Sequence, residues 1–199
     1  MRRSPAIKAV LILLLLLTLA LAPRLAAGYA DLRHAEAALA SRPDEASRYY
    51  ESAAERLWLP RLLEDAARAA LTSGDAGRAV QLFIVVEKKG ALSLDGYITM
   101  GDAYVALNQR DAALVIWEAL RNEGHASVAL YSRLAESYET KGDFGAALEA
   151  WQALLALEAD DAHALYRLGL ITLSGDPAQG LSVLIQAAGQ NATLDETVQ

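Results

Sequence analysis

The chain has 199 residues, 54% of them hydrophobic, with a net charge of −7 and no cysteine. Without cysteine it can hold neither a disulfide framework nor a thiolate metal site. Alanine and leucine dominate while glycine and proline are few, a composition that favours helix.

Arg2, Arg3 and Lys8 precede an apolar run from Ala9 to Ala22, broken only by Thr18 and closed by Pro23 and Arg24. A basic flank before such a run reads as an export signal or a signal anchor. Counted over residues 6–27, with Lys8 and Arg24 snorkelling outward, the segment reaches the roughly 20 apolar residues that a membrane span requires. Two outcomes stand open for residues 1–28. The segment stays as an anchor, which makes the chain a single-pass membrane protein with its remaining part on the outer face of the cytoplasmic membrane. Alternatively it is cut near Gly28–Ala30, where small residues occupy the positions a signal peptidase reads, and the product is secreted or periplasmic. In both, the basic flank stays cytosolic. Beyond residue 30 there are 14 basic and 25 acidic residues, a net charge of −11. As a whole, such a surface repels nucleic acid and anionic headgroups.

Residues 29–59 read as a first helical hairpin. Tyr29 to Ala40 forms its first helix, Ser41-Arg42-Pro43-Asp44 its turn and cap, and Ala46, Tyr50 and Leu57 the apolar face of its second helix, which ends at Pro60. From there a constant step of 34 residues governs the chain. It links Ala67, Gly101, Ala135 and Gly169; it links Ala79, Ala113 and Ala147; and it links Phe83, Trp117 and Trp151. Small residues and large aromatics held at one such period mark a helix-hairpin repeat. The small side chains let paired helices approach closely, and the aromatics fill the space between neighbouring repeats. Each hairpin leaves an apolar face that the next one covers.

Four repeats follow, at about 60–93, 94–127, 128–161 and 162–190. In the third, Leu130, Tyr131, Leu134, Ala135 and Tyr138 share one helix face. Gly142 supplies a left-handed turn residue and Asp143 caps the next helix. Gly74-Asp75 plays the same part in the first repeat, and Asn108 replaces the glycine in the second, since asparagine tolerates the left-handed conformation. In the fourth, Asp176 and Pro177 start the second helix, and a turn one residue shorter puts Gly180 and Leu184 at a step of 33. Gly189 ends the last helix. Residues 191–199 are a tail, or the start of a further helix signalled by the capping box Thr193-x-x-Glu196.

The motifs Tyr131-x-x-Leu134-Ala135-x-x-Tyr138 and Tyr97-x-x-Met100-Gly101-x-x-Tyr104, each followed by an alanine and a tryptophan, resemble those of the tetratricopeptide repeat (TPR) family. The resemblance implies an all-α fold, a right-handed α-solenoid of helix-turn-helix hairpins preceded by one N-terminal hydrophobic helix. It also implies a non-catalytic scaffold that binds a protein or peptide; taken with the export segment, the expected setting is the assembly of an envelope complex. In this family the concave face is lined by the first helix of each hairpin. Carried onto this sequence, that face comprises Arg61, Glu64 and Arg68; Ile98, Asp102 and Val105; Ser132, Arg133, Glu136 and Glu139; and His163, Tyr166, Arg167 and Leu170. Family members that grip a C-terminal carboxylate use lysines and asparagines at set places on this face. Of Glu64, Arg68, Thr99, Ala129 and Arg133, only Arg133 fits that pattern. A partner seated on an edge or on the convex surface is the alternative to a concave site.

Nothing in the sequence calls for catalysis or a cofactor. There is no Gly-x-Ser-x-Gly and no phosphate-cradling glycine loop. His34, His125 and His163 lack the i, i+4 spacing of a helical metal site, so no metal is expected. Trp58, Trp117 and Trp151 read as packing residues. Asn191-Ala192-Thr193 matches a glycosylation sequon, of consequence only where N-glycans are made. A second functional expectation is that the chain is the N-terminal docking region of a longer envelope enzyme whose catalytic domain lies beyond residue 199.

Overall fold

The computed structural model describes residues 5–197, with side chains over residues 9–190. Among these residues the secondary structure is ten α-helices and no strand. They are α1 (Pro5–Ala38), α2 (Pro43–Leu57), α3 (Leu62–Thr72), α4 (Ala76–Lys88), α5 (Leu94–Ala106), α6 (Arg110–Asn122), α7 (Val128–Lys141), α8 (Phe144–Leu157), α9 (Ala162–Leu173) and α10 (Pro177–Thr197). The fold is all-α, built of helix hairpins of the α-solenoid kind, with an apolar helix at its N-terminus. It divides into two compact units between Asn108 and Gln109.

The first unit begins with a difference from the sequence reading. The apolar segment and the first helix of the first hairpin are one helix, α1, which runs through Pro23 without a break. Pro23 forfeits the hydrogen bond to the Leu19 carbonyl and crowds that oxygen, yet the helix continues on both sides of it. The side chains from Val10 to Leu19 are exposed, whereas Gly28, Ala35 and Ala38 are buried against α2. A β-carbon at Gly28 would lie 2.7 Å from two atoms of the Leu57 side chain, so glycine sets the close approach of α1 and α2. Arg24 donates hydrogen bonds to the carbonyls of Arg56 (3.1 Å) and Glu55 (2.7 Å), satisfying the C-terminal end of α2. Asp31 accepts from the Ser52 hydroxyl at 2.7 Å and pairs with Arg56 at 3.1 Å. Ala35, Ala38, Ala46, Tyr50, Ala66 and Ala69 form one core, which joins α1, α2 and α3. From there α3 packs on α4, and α4 on α5.

Two expectations for this hairpin are corrected. Asp44 does not cap α2: Arg42 holds the N-cap position without a side-chain bond, and Pro43 opens the helix. Asp44 instead lies in the first turn, where its charge favours the helix dipole and it pairs with Arg48 at 3.2 Å. Trp58 is not a packing residue. It ends α2 in the left-handed conformation (φ 53°) and its side chain is exposed.

In the second unit α6 packs on α7, α7 on α8, α8 on α9 and α9 on α10. The 34-residue series behaves as its chemistry requires. Ala67, Ala135, Ala79, Ala113, Ala147, Phe83 and Trp151 are wholly buried, Trp117 nearly so, and Gly101 and Gly169 lie in buried positions. A β-carbon at Gly169 would come within 2.8 Å of the Leu184 side chain, and one at Gly180 within 2.5 Å of the Leu173 backbone. These glycines let α9 and α10 touch. The turns also follow the sequence. Gly74, Asn108 and Gly142 are left-handed, and Asp75, Asp143, Asp161 and Asp176 accept amide hydrogen bonds at the starts of their helices. Gly189, in contrast, does not end α10, which continues to Thr197. The expected capping box at Thr193 and Glu196 therefore starts no separate helix; its side chains, like those of the sequon, lie outside the described residues.

Candidate functional site

The residues expected on a binding face divide between the two units. In the first, Arg61, Glu64 and Arg68 line a groove of about 730 Å³ together with Leu59, Leu62, Asp65, Ser93, Leu94 and Asp95. The periodicity of α3 turns Glu64 and Arg68, four residues apart, to one side. Glu64 is buried and already engaged. It accepts from the Ser93 amide at 3.0 Å, from the Ser93 hydroxyl at 2.6 Å and from Arg68 at 2.5 Å. Ser93 in turn caps α5 through the Gly96 amide at 2.9 Å. Glu64 is thus the outer half of a two-residue cap that locks the start of α5 onto α3. A carboxylate spent in this way does not greet a partner.

Arg68 remains more available. It is part exposed and bridges Glu64 and Asp95, the latter at 2.9 Å. Beside it, burial lifts the Asp65 carboxyl above its ordinary range, Arg68 opposing the shift. Arg61 is exposed at the rim, as are Leu59 and Leu94. On α5, Ile98 is buried in the core, while Asp102 and Val105 are half-buried. The groove therefore offers a guanidinium flanked by carboxylates and bordered by leucines.

In the second unit Glu136, Glu139, His163 and Arg167 line a groove of about 430 Å³ with Thr140 and Phe144. Glu139 is the counterpart of Glu64 in its chemistry. Its side chain is 8% exposed, accepts from the Trp151 indole nitrogen at 2.6 Å and is paired with Arg167. One carboxylate thereby joins α7, α8 and α9. The His163 ring meets Trp151 edge-on, with centroids 5.6 Å apart. What faces outward is Glu136, the exposed rings of Phe144 and Tyr166, and Leu170 one turn beyond Tyr166. Ser132 and Arg133 are half-buried, and the Ser132 hydroxyl donates to Glu136 at 3.2 Å. Among the described residues no three His, Asp or Glu side chains gather as a metal site would require.

The sequence found the helices that carry these grooves but not which of their polar groups are already satisfied. Ser93 lies 29 residues from Glu64, and Trp151 lies 12 from Glu139. Neither spacing is a helical period. Phe144, the first residue of α8, also escaped the reading, because it belongs to a second helix rather than to the first helices that line the face.

No protein-family model matches the chain, and no curated protein matches it. Solved structures do. MamA from Desulfovibrio magneticus RS-1, residues 41 to the end, is 20% identical with a TM-score of 0.73, over 84% of this chain and 97% of that one. YrrB, described as a TPR protein with an unusual peptide-binding site, is 16% identical with a TM-score of 0.64, over 80% and 84%. TTC0263, a TPR protein of Thermus thermophilus, is 23% identical with a TM-score of 0.60, over 84% and 89%. At these identities the likeness establishes the fold, which is that of TPR proteins.

Proposed function

We propose that the chain is a non-catalytic TPR scaffold, anchored in or exported across a membrane, that holds a protein or peptide segment, and that it serves the assembly of an envelope complex. The observation that carries this reading is the pair of first-helix grooves, one in each unit, each with one buried carboxylate holding its walls and other polar and apolar side chains left outward. Apolar anchors beside fixed charges suit an extended segment or an amphipathic helix. Arg61 would meet an acidic group, Glu136 a basic one, and Phe144, Tyr166 and Leu170 apolar side chains, while Arg68 is held by Glu64, Asp65 and Asp95. That YrrB is described as having a peptide-binding site agrees with this use of the fold. Residues 6–27 would supply the anchor, since α1 is long and apolar enough to cross a bilayer.

The reading is tested by placing a photo-reactive amino acid at Glu136, Tyr166 or Arg61 of the full chain in its native cell, with Val115 and Gln152, both exposed on second helices, as controls. A discrete protein adduct at these three positions and none at the controls is expected. Adducts at the controls alone would move the binding face to the second helices.

A further inference from the structure

Trp58 is the residue that the scaffold reading leaves unexplained. A large aromatic stands where a helix end favours glycine, in a left-handed backbone, with 56% of its surface exposed. Its neighbour Leu59 is 46% exposed. Over the Trp58 ring, 4.2 Å from its centroid, sits the guanidinium of Arg24, the first charged residue after the apolar run. The same guanidinium is tied to the carbonyls at the end of α2. These contacts fix Trp58 at the level of Arg24 on α1, about 7.5 Å beyond Leu19 at a rise of about 1.5 Å per residue. That is the height at which a bilayer containing the run would pass from hydrocarbon to headgroups.

The surroundings agree. The connections at this end of the first unit, residues 58–61 and 89–93, carry Arg61 and Lys89 and no acidic side chain, in a chain that is acidic overall. Trp58, Arg24 and Lys89 also border one groove of about 620 Å³, with Pro60, Leu63 and, on its α2 side, the acids Glu51 and Glu55. An exposed tryptophan and leucine beside cations, at the end of an apolar helix, have the chemistry of the membrane interface. There the ring sits at the glycerol level and the cations reach phosphates.

We infer that the 58–61 turn is a second membrane contact, seated in the phospholipid headgroup layer beside α1. It rests on the reading of α1 as a membrane span. The overall negative charge of the exported part does not oppose it, since the contact is local: Glu51 is paired with Arg78 and Asp31 with Arg56, and Glu55, exposed in the same groove, stands against the three cations Arg24, Arg61 and Lys89. With α1 it would make a two-point attachment.

The absence of native cysteine makes the test direct. The full chain, carrying a spin label at Leu15→Cys, Leu59→Cys or Ser41→Cys in turn, is reconstituted into vesicles of phosphatidylcholine and phosphatidylglycerol. Collision with oxygen and with a water-soluble nickel chelate is then measured. Leu15 reports the span itself. Ser41, exposed at the opposite end of the first hairpin, reports free water. The expected result is a lipid-buried Leu15 together with a Leu59 shielded several-fold from nickel relative to Ser41. A buried Leu15 with Leu59 as accessible as Ser41 overturns the second contact and leaves the anchor standing. A Leu15 as accessible as Ser41 overturns both. In an independent arm, brominated lipid should quench the tryptophan emission that Trp58→Phe removes, Trp117 and Trp151 being buried; no quenching of that component overturns the inference.

Discussion

The Tyr138 phenol donates to Glu118 at 2.5 Å, and burial, reinforced by that carboxylate, pushes its pKa from 10.0 to about 12. A raised pKa means that the folded chain holds this proton more tightly than the unfolded chain does. The stabilisation is therefore complete below pH 10 and is lost as pH rises towards about 12. Phenolate absorbance should show a last-titrating tyrosine, and Tyr138→Phe should remove it; a Tyr138 that ionises with the exposed tyrosines would refute the contact. Glu139 offers a sharper case. Glu139→Ala leaves Arg167 and the Trp151 indole without their acceptor and should cost about 1.5–3 kcal/mol, the range for hydrogen bonds to a charged group, read by denaturant unfolding. Partial exposure of Arg167 favours the lower end.

Between helices, close approach is the quantity that matters. Gly180→Ala would set a methyl group 2.5 Å from the Leu173 Cα, which only a displacement of α10 from α9 can relieve. Overpacking of this kind costs about 1–3 kcal/mol and should lower the melting temperature of the full chain. Trp151→Ala, which empties a wholly buried site and breaks the bond to Glu139, should cost about 3–5 kcal/mol by the same measurement. Register along the repeats gives a further contrast. Leu114 is buried, while Leu181, two repeats on once the shortened turn is counted, is 56% exposed. Leu114→Ala should cost about 2–5 kcal/mol, and Leu181→Ala no more than about 0.5 kcal/mol.

These contrasts mark what the residues alone made legible. The fold was readable because its determinants recur: Ala67, Ala135 and Gly169 hold close contacts, Phe83, Trp117 and Trp151 fill the interior, and Asn108 and Gly142 turn the chain, all at one step. The grooves were readable only as a helix face. Whether Glu64 or Glu139 points to a partner or to its own neighbours depends on Ser93 and Trp151, and those contacts arise only when separate helices come together. The first hairpin lies outside the 34-residue step. There Pro23 and the Tyr29 start suggested two segments where a single helix runs, because the loss at one proline is local and the packing of α1 on α2, which holds the helix beyond it, is not visible in the sequence.

For the molecule as a whole, location decides which chemistry it can meet. Fused at its C-terminus to alkaline phosphatase, which works only outside the cytosol, the full chain should give active enzyme. Inversion of the flank by Arg2→Glu, Arg3→Glu and Lys8→Glu should depress that activity, since basic residues beside an apolar span favour the inner side. Activity lost in the wild-type fusion would place the grooves with cytosolic partners instead. If α1 does remain in the bilayer, its continuity through Pro23 into the first hairpin has a mechanical meaning. A mast and the first deck bolted to it must lean and swivel together, so the tilt of the apolar helix in lipid would dictate the heading of the first hairpin. Membranes of different thickness would then steer one protein into different poses without altering any contact inside it.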